Sequence, residues 1–433
     1  MLPLLASLAI LPIAPLAQRD VAADLAALVD LPRAEDRREA ALELAADEEV
    51  SLEDWLAACR AFSPRGEGTR GQRIEEVSLW ADGEFESTPV AIRVPESYRS
   101  GTPAPLLMVF HWTGGRGEQS LGAWHDVAEE LGMLLCAPSE TGPNDGYRFS
   151  RRELSVALSA LRWMRREFDV DENRIFATGV SRGGHLTWEL ALRHTDLLAG
   201  AAPMIGGPYF NIRAGRANMR YLENMVRLPF HDLQGAQDQA GLVWNVRYAF
   251  ERLEEFGAQD AHYHEFPDLG HSFEIDVVDW RAFFAEKRRD PRPDHVLRRF
   301  ARPGEGRAFW VEVLEQGEKV LEEFEPTIRR SKLERLDQAG QRRWMIEETD
   351  KRTGRISVRF VRPGQVEVRA KGAERFRLLL TEDMFEPGKT FEVKVGSRRK
   401  KSKVSLSKET LLAEFAERFD RTFLPVGEVI VGG

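Results

Sequence analysis

Three residues, in a fixed order along the chain, have the types and settings needed for nucleophilic chemistry. Ser181 stands at the centre of Gly179-Val-Ser-Arg-Gly183, Asp238 closes Leu233-Gln-Gly-Ala-Gln-Asp238, and His271 lies in Leu269-Gly-His-Ser-Phe273. A serine hydroxyl is a poor nucleophile at neutral pH. It needs a base to take its proton, and the base needs a carboxylate to fix its tautomer and stabilise its charged form. A serine presented on a tight turn takes an uncommon backbone conformation, and flanking Cβ atoms would crowd it; Gly179 and Gly183 remove them. The pentapeptide alone is a weak signal, so its meaning depends on the elements around it.

Acyl chemistry also needs donors where negative charge develops on the carbonyl oxygen. Leu106-Leu-Met-Val-Phe-His-Trp-Thr-Gly-Gly115 is an apolar run ending in a glycine-containing loop. Its backbone N–H groups can turn toward a bound carbonyl. The N–H of Arg182, directly after the serine, is one candidate donor. Thr113 or Trp112 supplies the other, and Thr113 is the preferred choice. Two other aspartates compete with Asp238. Asp232 falls inside a predicted strand, where its side chain would meet a sheet neighbour, and Asp268 is too close to His271 in sequence. His185 reads as a packed or hydrogen-bonded residue, and His111 as a support for the oxyanion loop. His262 and His264 share one strand face at workable ligand spacing. No third or fourth ligand is placed, so strand packing is expected, and the chemistry calls for no metal and no cofactor.

The elements that must position these residues follow from periodicity. Predicted strands are Ile74–Trp80, Val90–Val94, Leu106–His111, Met133–Ala137, Arg174–Thr178, Gly200–Met204, Leu228–Leu233 and Ala261–Phe266. Predicted helices are Ser120–Leu131, Arg151–Phe168, Arg182–Arg193, Leu242–Phe256 and Val277–Glu286. Continuous apolar strands alternating with helices imply a mostly parallel central sheet with helices on both faces, after an antiparallel start. Ser181 then sits between a strand and a helix N-terminus, which favours developing negative charge. Asp238 lies just beyond a strand's carboxyl end, where open α/β sheets meet ligands. Asp290-Pro-Arg-Pro-Asp294 marks a boundary. Beyond it, runs such as Arg355–Val361, Gln365–Arg369 and Phe391–Val395 alternate apolar with polar residues. They predict a half-buried antiparallel sheet, with Ser397–Lys403 as a solvated hairpin tip, followed by a helix over Glu409–Arg418.

The stretches LLMVFHWTGG, RIFATGVSRGGHLTWELALRHTDLLAGAAPMIGG, LQGAQD and LGHSF resemble α/β-hydrolases of the polyhydroxybutyrate-depolymerase, feruloyl-esterase and dienelactone-hydrolase-like branch. The resemblance implies the α/β-hydrolase fold over residues 74–290 with a C-terminal β-rich α+β domain over 291–433. It implies Ser181 as nucleophile, Asp238 as acid and His271 as base. Two positions depart from that pattern. The usual His-Gly after the third strand is His111-Trp112 here, which bears on the oxyanion hole. The usual His-Gly before the acid is Gln234-Gly235, a change expected to lie outside the chemistry.

The 433 residues carry a formal charge of −9, which argues against a nucleic-acid partner for the chain as a whole. Cys59 and Cys136 form no disulfide framework or metal spacing and read as structural thiols. Residues 1–17, MLPLLASLAILPIAPLA, fit a secretory signal, which would make the protein secreted or periplasmic. No later run reaches membrane length. Residues 18–73 read as a helical lead-in and linker. Trp112, Trp124, Tyr147 and Trp188 fall near predicted loops and suit pocket wall or core equally. Tyr209–Met225 and Ser139–Tyr147 are the segments able to shape a substrate mouth. The expected activity is hydrolysis of a small-molecule or polymer-borne carboxylic ester. The alternatives are a serine peptidase of prolyl-oligopeptidase type and a non-catalytic polymer- or protein-binding protein. Removal of residues 291–433 is expected to cost solubility but not chemistry.

Overall fold

The computed structural model describes residues 19–66, 68–139, 150–211, 216–324 and 330–432. Residues 1–17, Tyr147 and most of the segment Ser139–Tyr147 lie outside them. Eight strands form the central sheet: β1 (Gly71–Trp80), β2 (Phe85–Val94), β3 (Ala104–Phe110), β4 (Leu134–Pro138), β5 (Val170–Val180), β6 (Gly200–Met204), β7 (Phe230–Gly235) and β8 (Ala261–Phe266). Their spatial order is β1-β2-β4-β3-β5-β6-β7-β8. The first two strands pair antiparallel, β2 joins β4 antiparallel, and the remaining pairings are parallel.

Period-two alternation along these strands divides the apolar residues between two cores. Leu106, Met108 and Phe110 join one, Leu107 and Val109 the other, and neighbouring strands alternate in the same way. Three lead-in helices, α1 (Val21–Asp30), α2 (Ala34–Ala46) and α3 (Leu52–Arg60), precede the sheet. The second core is covered by α4 (His125–Leu131) and, near the end of the sheet domain, by Trp280–Glu286. Trp124 belongs to that core, packing edge-on against Trp280 and Phe284. On the other face lie α5 (Arg151–Glu167), α6 (Arg182–Arg193) and α7 (Ala240–Glu255), with Trp188 of α6 fully buried against Phe230. Trp280–Glu286 is α8.

Beyond residue 290 the chain builds two sheets rather than one. Strands β9 (His295–Phe300), β10 (Arg307–Ala308), β11 (Val311–Gln316), β12 (Gly354–Arg362), β13 (Gln365–Lys371), β14 (Ala373–Leu380), β15 (Thr390–Val395), β16 (Arg398–Lys403) and β17 (Gly427–Val431) divide into β9-β12-β13-β15-β16 and β10-β11-β14-β17. The expected antiparallel sheet is corrected at one pairing: β13 and β15 run parallel. The crossover through β14 and its following turn makes this possible. The basic run is also corrected. Residues 398–403 are not a hairpin tip but a strand paired antiparallel with β15, the turn falling at Gly396 with φ 57°. Helix α9 (Gln338–Lys351) was not predicted, because its apolar residues are too few to form a stripe; α10 (Lys408–Arg418) matches its expected place.

The C-terminal part and the lead-in meet each other and the sheet domain. Phe62 packs edge-on against Phe415 and Phe419, at 5.6 and 4.8 Å between ring centroids. Arg421 reaches Asp169 and Glu172 at the start of β5, each at 2.7 Å, and Arg289 reaches Asp420 at 2.7 Å. Residues 218–225, part of the segment considered for a substrate mouth, are mostly buried. Asn224 donates to the carbonyls of Leu192 and Arg299, tying this turn to α6 and β9. Both cysteines are buried and unbridged.

Candidate active site

Ser181 occupies the junction of β5 and α6 with φ 55° and ψ −109°, a conformation that non-glycine residues avoid. The surrounding backbone enforces it. The Ser181 N–H donates to Met204 O at 2.8 Å, and its carbonyl accepts from His185 N–H at 3.0 Å. Close approach explains the two glycines. A Cβ on Gly179 would lie 2.5 Å from the Gly183 carbonyl, and one on Gly183 would lie 2.0 Å from Phe110 O. Only glycine at both positions lets α6 begin against the end of β3.

Asp238 follows β7, and His271 lies in the loop after β8. The two loops are stitched together: Ala236 N–H donates to Phe266 O and Gln237 N–H to Leu269 O, both at 2.9 Å. A Cβ on Gly235 would fall 1.9 Å from Gly270 O, so Gly235 lets the histidine loop lie directly on the strand end. The three sequence-predicted residues meet in consequence. His271 Nδ1 is 2.7 Å from Asp238 Oδ2, and His271 Nε2 is 2.9 Å from Ser181 Oγ. A carboxylate only accepts, so Nδ1 carries the proton and Nε2 is left to accept from the hydroxyl. The Asp238 side chain is 3% exposed and that of His271 48%. Burial opposes ionisation of Asp238, but hydrogen bonds from His271, from the Gln239 N–H and from Gln234 outweigh it and hold its carboxyl below the usual range.

One of those donors corrects the reading of Gln234-Gly235 as remote from the chemistry. Gln234 is fully buried, and its Nε2 lies 2.9 Å from Asp238 Oδ2, the oxygen that His271 also reaches. No local pattern in the sequence marks this contact, because it forms only through the turn that brings Asp238 back to the end of β7.

The oxyanion candidates come from two segments, the start of α6 and the turn that follows β3. Arg182 is the first residue of α6, so its N–H belongs to the helix N-terminus beside Ser181. Trp112 and Thr113 are exposed in the turn closed by the Gly115 N–H to Trp112 O bond at 3.0 Å. His111 is buried, and its Nδ1 lies 2.7 Å from Trp112 O, which fixes that carbonyl and the turn with it.

The rival residues lie elsewhere. Asp232 is fully buried and accepts from Trp188 Nε1 at 2.8 Å; burial raises its carboxyl well above the usual range. Asp268 is exposed, while the imidazole Nδ1 is engaged by Asp238. His185 Nδ1 lies 2.9 Å from the Gly207 N–H, and burial pushes its imidazole down to about 4. His262 and His264 stack on His231 at 4.8 and 5.2 Å, and His264 Nε2 lies 2.9 Å from His231 Nδ1. Among the described residues no group of three His, Cys, Asp or Glu side chains is arranged to hold a metal ion.

The sheet order, with helices on both faces and a left-handed serine between the fifth strand and its helix, is the α/β-hydrolase fold. Several known proteins are similar to parts of the chain. Over 139 residues the chain is 24% identical to a probable feruloyl esterase C of Aspergillus flavus, spanning 30% of this chain and 51% of that protein. Over 139 residues it is 41% identical to poly(3-hydroxyalkanoate) depolymerase C of Paucimonas lemoignei, spanning 29% of this chain and 34% of that one. The chain therefore covers about half the length of the esterase and a third of the depolymerase. Among solved structures, a thermostable esterase aligns with a TM-score of 0.40 at 20% identity, covering 50% of this chain and 63% of that one. An acetyl xylan esterase from Aspergillus awamori aligns with a TM-score of 0.40 at 13% identity, covering 50% and 99%. No family model matches the chain. No helix among the described residues is long and apolar enough to cross a membrane.

Proposed function

We propose that the protein is a serine hydrolase that cleaves a carboxylic ester through an acyl-enzyme. The observation that carries this reading is the bridging position of His271, 2.9 Å from Ser181 Oγ and 2.7 Å from Asp238 Oδ2. Ser181 Oγ attacks the acyl carbon while His271 Nε2 takes its proton. The tetrahedral oxyanion is received by the N–H of Arg182 and that of Thr113 or Trp112. His271 passes the proton to the leaving alkoxide oxygen as the ester C–O bond breaks. Water, deprotonated by His271, then attacks the acyl-enzyme and releases the acid and the serine. Asp238 holds the imidazole tautomer and stabilises the imidazolium.

The names of the similar proteins suggest feruloyl esters and poly(3-hydroxyalkanoates) as first substrates to try. The composition of residues 1–17 supports export as the setting in which a polymer-borne ester would be met. The test is an ester screen: p-nitrophenyl esters of increasing acyl length, methyl ferulate, and a poly(3-hydroxybutyrate) film, with aminoacyl-p-nitroanilides beside them. Wild type should turn over esters and leave the anilides intact. Ser181→Ala should lose about 10⁴-fold or more of the activity. Equal activity in Ser181→Ala overturns the mechanism, and anilide cleavage exceeding ester cleavage replaces the esterase reading with a peptidase.

A further inference from the structure

The basic run Arg398-Arg-Lys-Lys-Ser-Lys403 is the edge strand of the five-stranded sheet, exposed at every position except half-buried Ser402. Register extends its charge inward. Lys394 lies opposite Arg399, and Glu392 opposite Lys401; Glu367 lies beside Lys394, and Arg359 opposite Glu367. The alternate residues Ile356, Val358, Val366, Val368, Phe391 and Val393 are buried in the core. The opposite face therefore presents Arg359, Arg369, Lys394, Arg399, Lys401 and Lys403 to solvent, with Glu367 and Glu392 among them. Glu367 pairs with Lys394 at 2.8 Å, and Glu392 is shared by Arg399 and Lys401 at 3.3 and 3.7 Å. Arg359, Arg369 and Lys403 make no ion pair among the described residues. This concentration of cations sits on a chain whose formal charge is −9.

We propose that this face binds a linear polysaccharide bearing carboxylate groups, lying along β16. Three features select that partner. Same-face cations recur about every 7 Å along a strand and about 4.8 Å between strands, a stripe that meets a chain of regularly spaced anions. The outer edge of β16 pairs with no other strand among the described residues, so it offers backbone donors and acceptors to closely spaced sugar hydroxyls. The outward positions of β12, β13, β15 and β16 carry no Phe, Tyr or Trp, so the face lacks stacking platforms for bases and aromatic anchors for a lipid interface. The surrounding negative charge also opposes a wide anionic surface more than a narrow chain, whose contacts stay within about one Debye length of the stripe, ~8 Å at physiological salt. Binding here stands apart from the chemistry at Ser181, although a polymer held on this face would raise the effective concentration of any ester it carries.

The test is affinity electrophoresis of the full chain through gels containing polygalacturonate or neutral dextran. Polygalacturonate should retard the protein and dextran should not, with retardation lost at about 0.3 M salt. Combined Arg399→Gln, Lys401→Gln and Lys403→Gln should weaken binding by about tenfold or more, roughly what removing three phosphate-type contacts would do. Arg33→Gln with Arg38→Gln, exposed cations in the lead-in, should leave it unchanged. Ser181→Ala should bind as wild type, which separates this result from failure of the hydrolase reading. Absence of retardation, or a triple variant that binds like wild type, overturns the proposal. So does tighter binding of a single-stranded DNA oligonucleotide or of phosphatidylserine vesicles.

Discussion

Gln234 Nε2 lies 2.9 Å from Asp238 Oδ2, and both side chains are withdrawn from solvent at the end of β7. Two donors thus converge on one carboxylate oxygen, the second being His271 Nδ1. The orientation of the Gln234 amide is fixed by this network: turned over, its oxygen would face a carboxylate. Removing the donor leaves more negative charge on Oδ2, which favours the charged imidazolium. We expect Gln234→Met to lower kcat/KM about tenfold, the scale of one hydrogen bond to a charged group. The acidic limb of its pH–rate profile should move to higher pH, and Gln234→His should restore both. A fall in rate with an unmoved acidic limb would mean that Gln234 only fills space.

The two aspartates of β7 and its loop separate by environment. Asp232 is fully buried with Trp188 Nε1 at 2.8 Å, and burial raises its carboxyl well above the usual range. Asparagine keeps the shape and the oxygen that accepts from Trp188, without a charge to bury. Asp232→Asn should therefore retain ester hydrolysis within about twofold, whereas Asp238→Asn, which disturbs the imidazole tautomer, should lose about 10⁴-fold. Comparable losses in the two variants would remove Asp238 from its assigned role.

The sheet and the three convergent residues were legible because each depends on a local signal. Apolar runs give strands, glycines give the turn at Ser181, and chain order places Asp238 and His271 after successive strands. What escaped depends on tertiary register. Gln234 became a partner of Asp238 only through the turn that folds the acid back over β7. The parallel pairing of β13 with β15 requires β14 to leave for another sheet, and nothing within Gln365–Lys371 or Thr390–Val395 encodes that. Residues 398–403 lack the apolar alternation that marks a strand, since an edge strand with both faces exposed has no core to face. Phe309, with φ 50°, breaks its apolar run, so the strand begins at Val311.

His194 links folding to pH. Burial pushes its imidazole down to about 4 from an ordinary 6.5, with Asp196 opposing the shift and Arg298 assisting it. Between those values the unfolded chain binds a proton that the folded chain refuses. Its contribution to stability is therefore complete above pH 6.5 and is lost as pH falls toward 4. The thermal midpoint should drop between pH 7 and 4.5, and His194→Gln should have a shallower slope over that window. A variant whose midpoint falls as steeply as wild type would place the acid sensitivity elsewhere.

The C-terminal part holds buried charges of the sheet domain, which alters the expectation for its removal. Arg421 reaches Asp169 and Glu172 at 2.7 Å each, and its guanidinium also donates to the Val170 carbonyl. Arg418 pairs with fully buried Asp196, whose carboxyl is held at about 2 against the cost of burial. Breaking such a pair from one side leaves a buried carboxylate without its cation, so Arg421→Ala should cost about 3 kcal/mol of unfolding free energy. Deletion of residues 291–433 would strip several such partners at once and expose Phe62, which packs against Phe415 and Phe419. The truncated chain should then lose cooperative unfolding along with esterase activity, rather than solubility alone. Calorimetry of the truncated protein decides this. A sharp unfolding transition with wild-type turnover of a small soluble ester would show that residues 19–290 fold without these contacts.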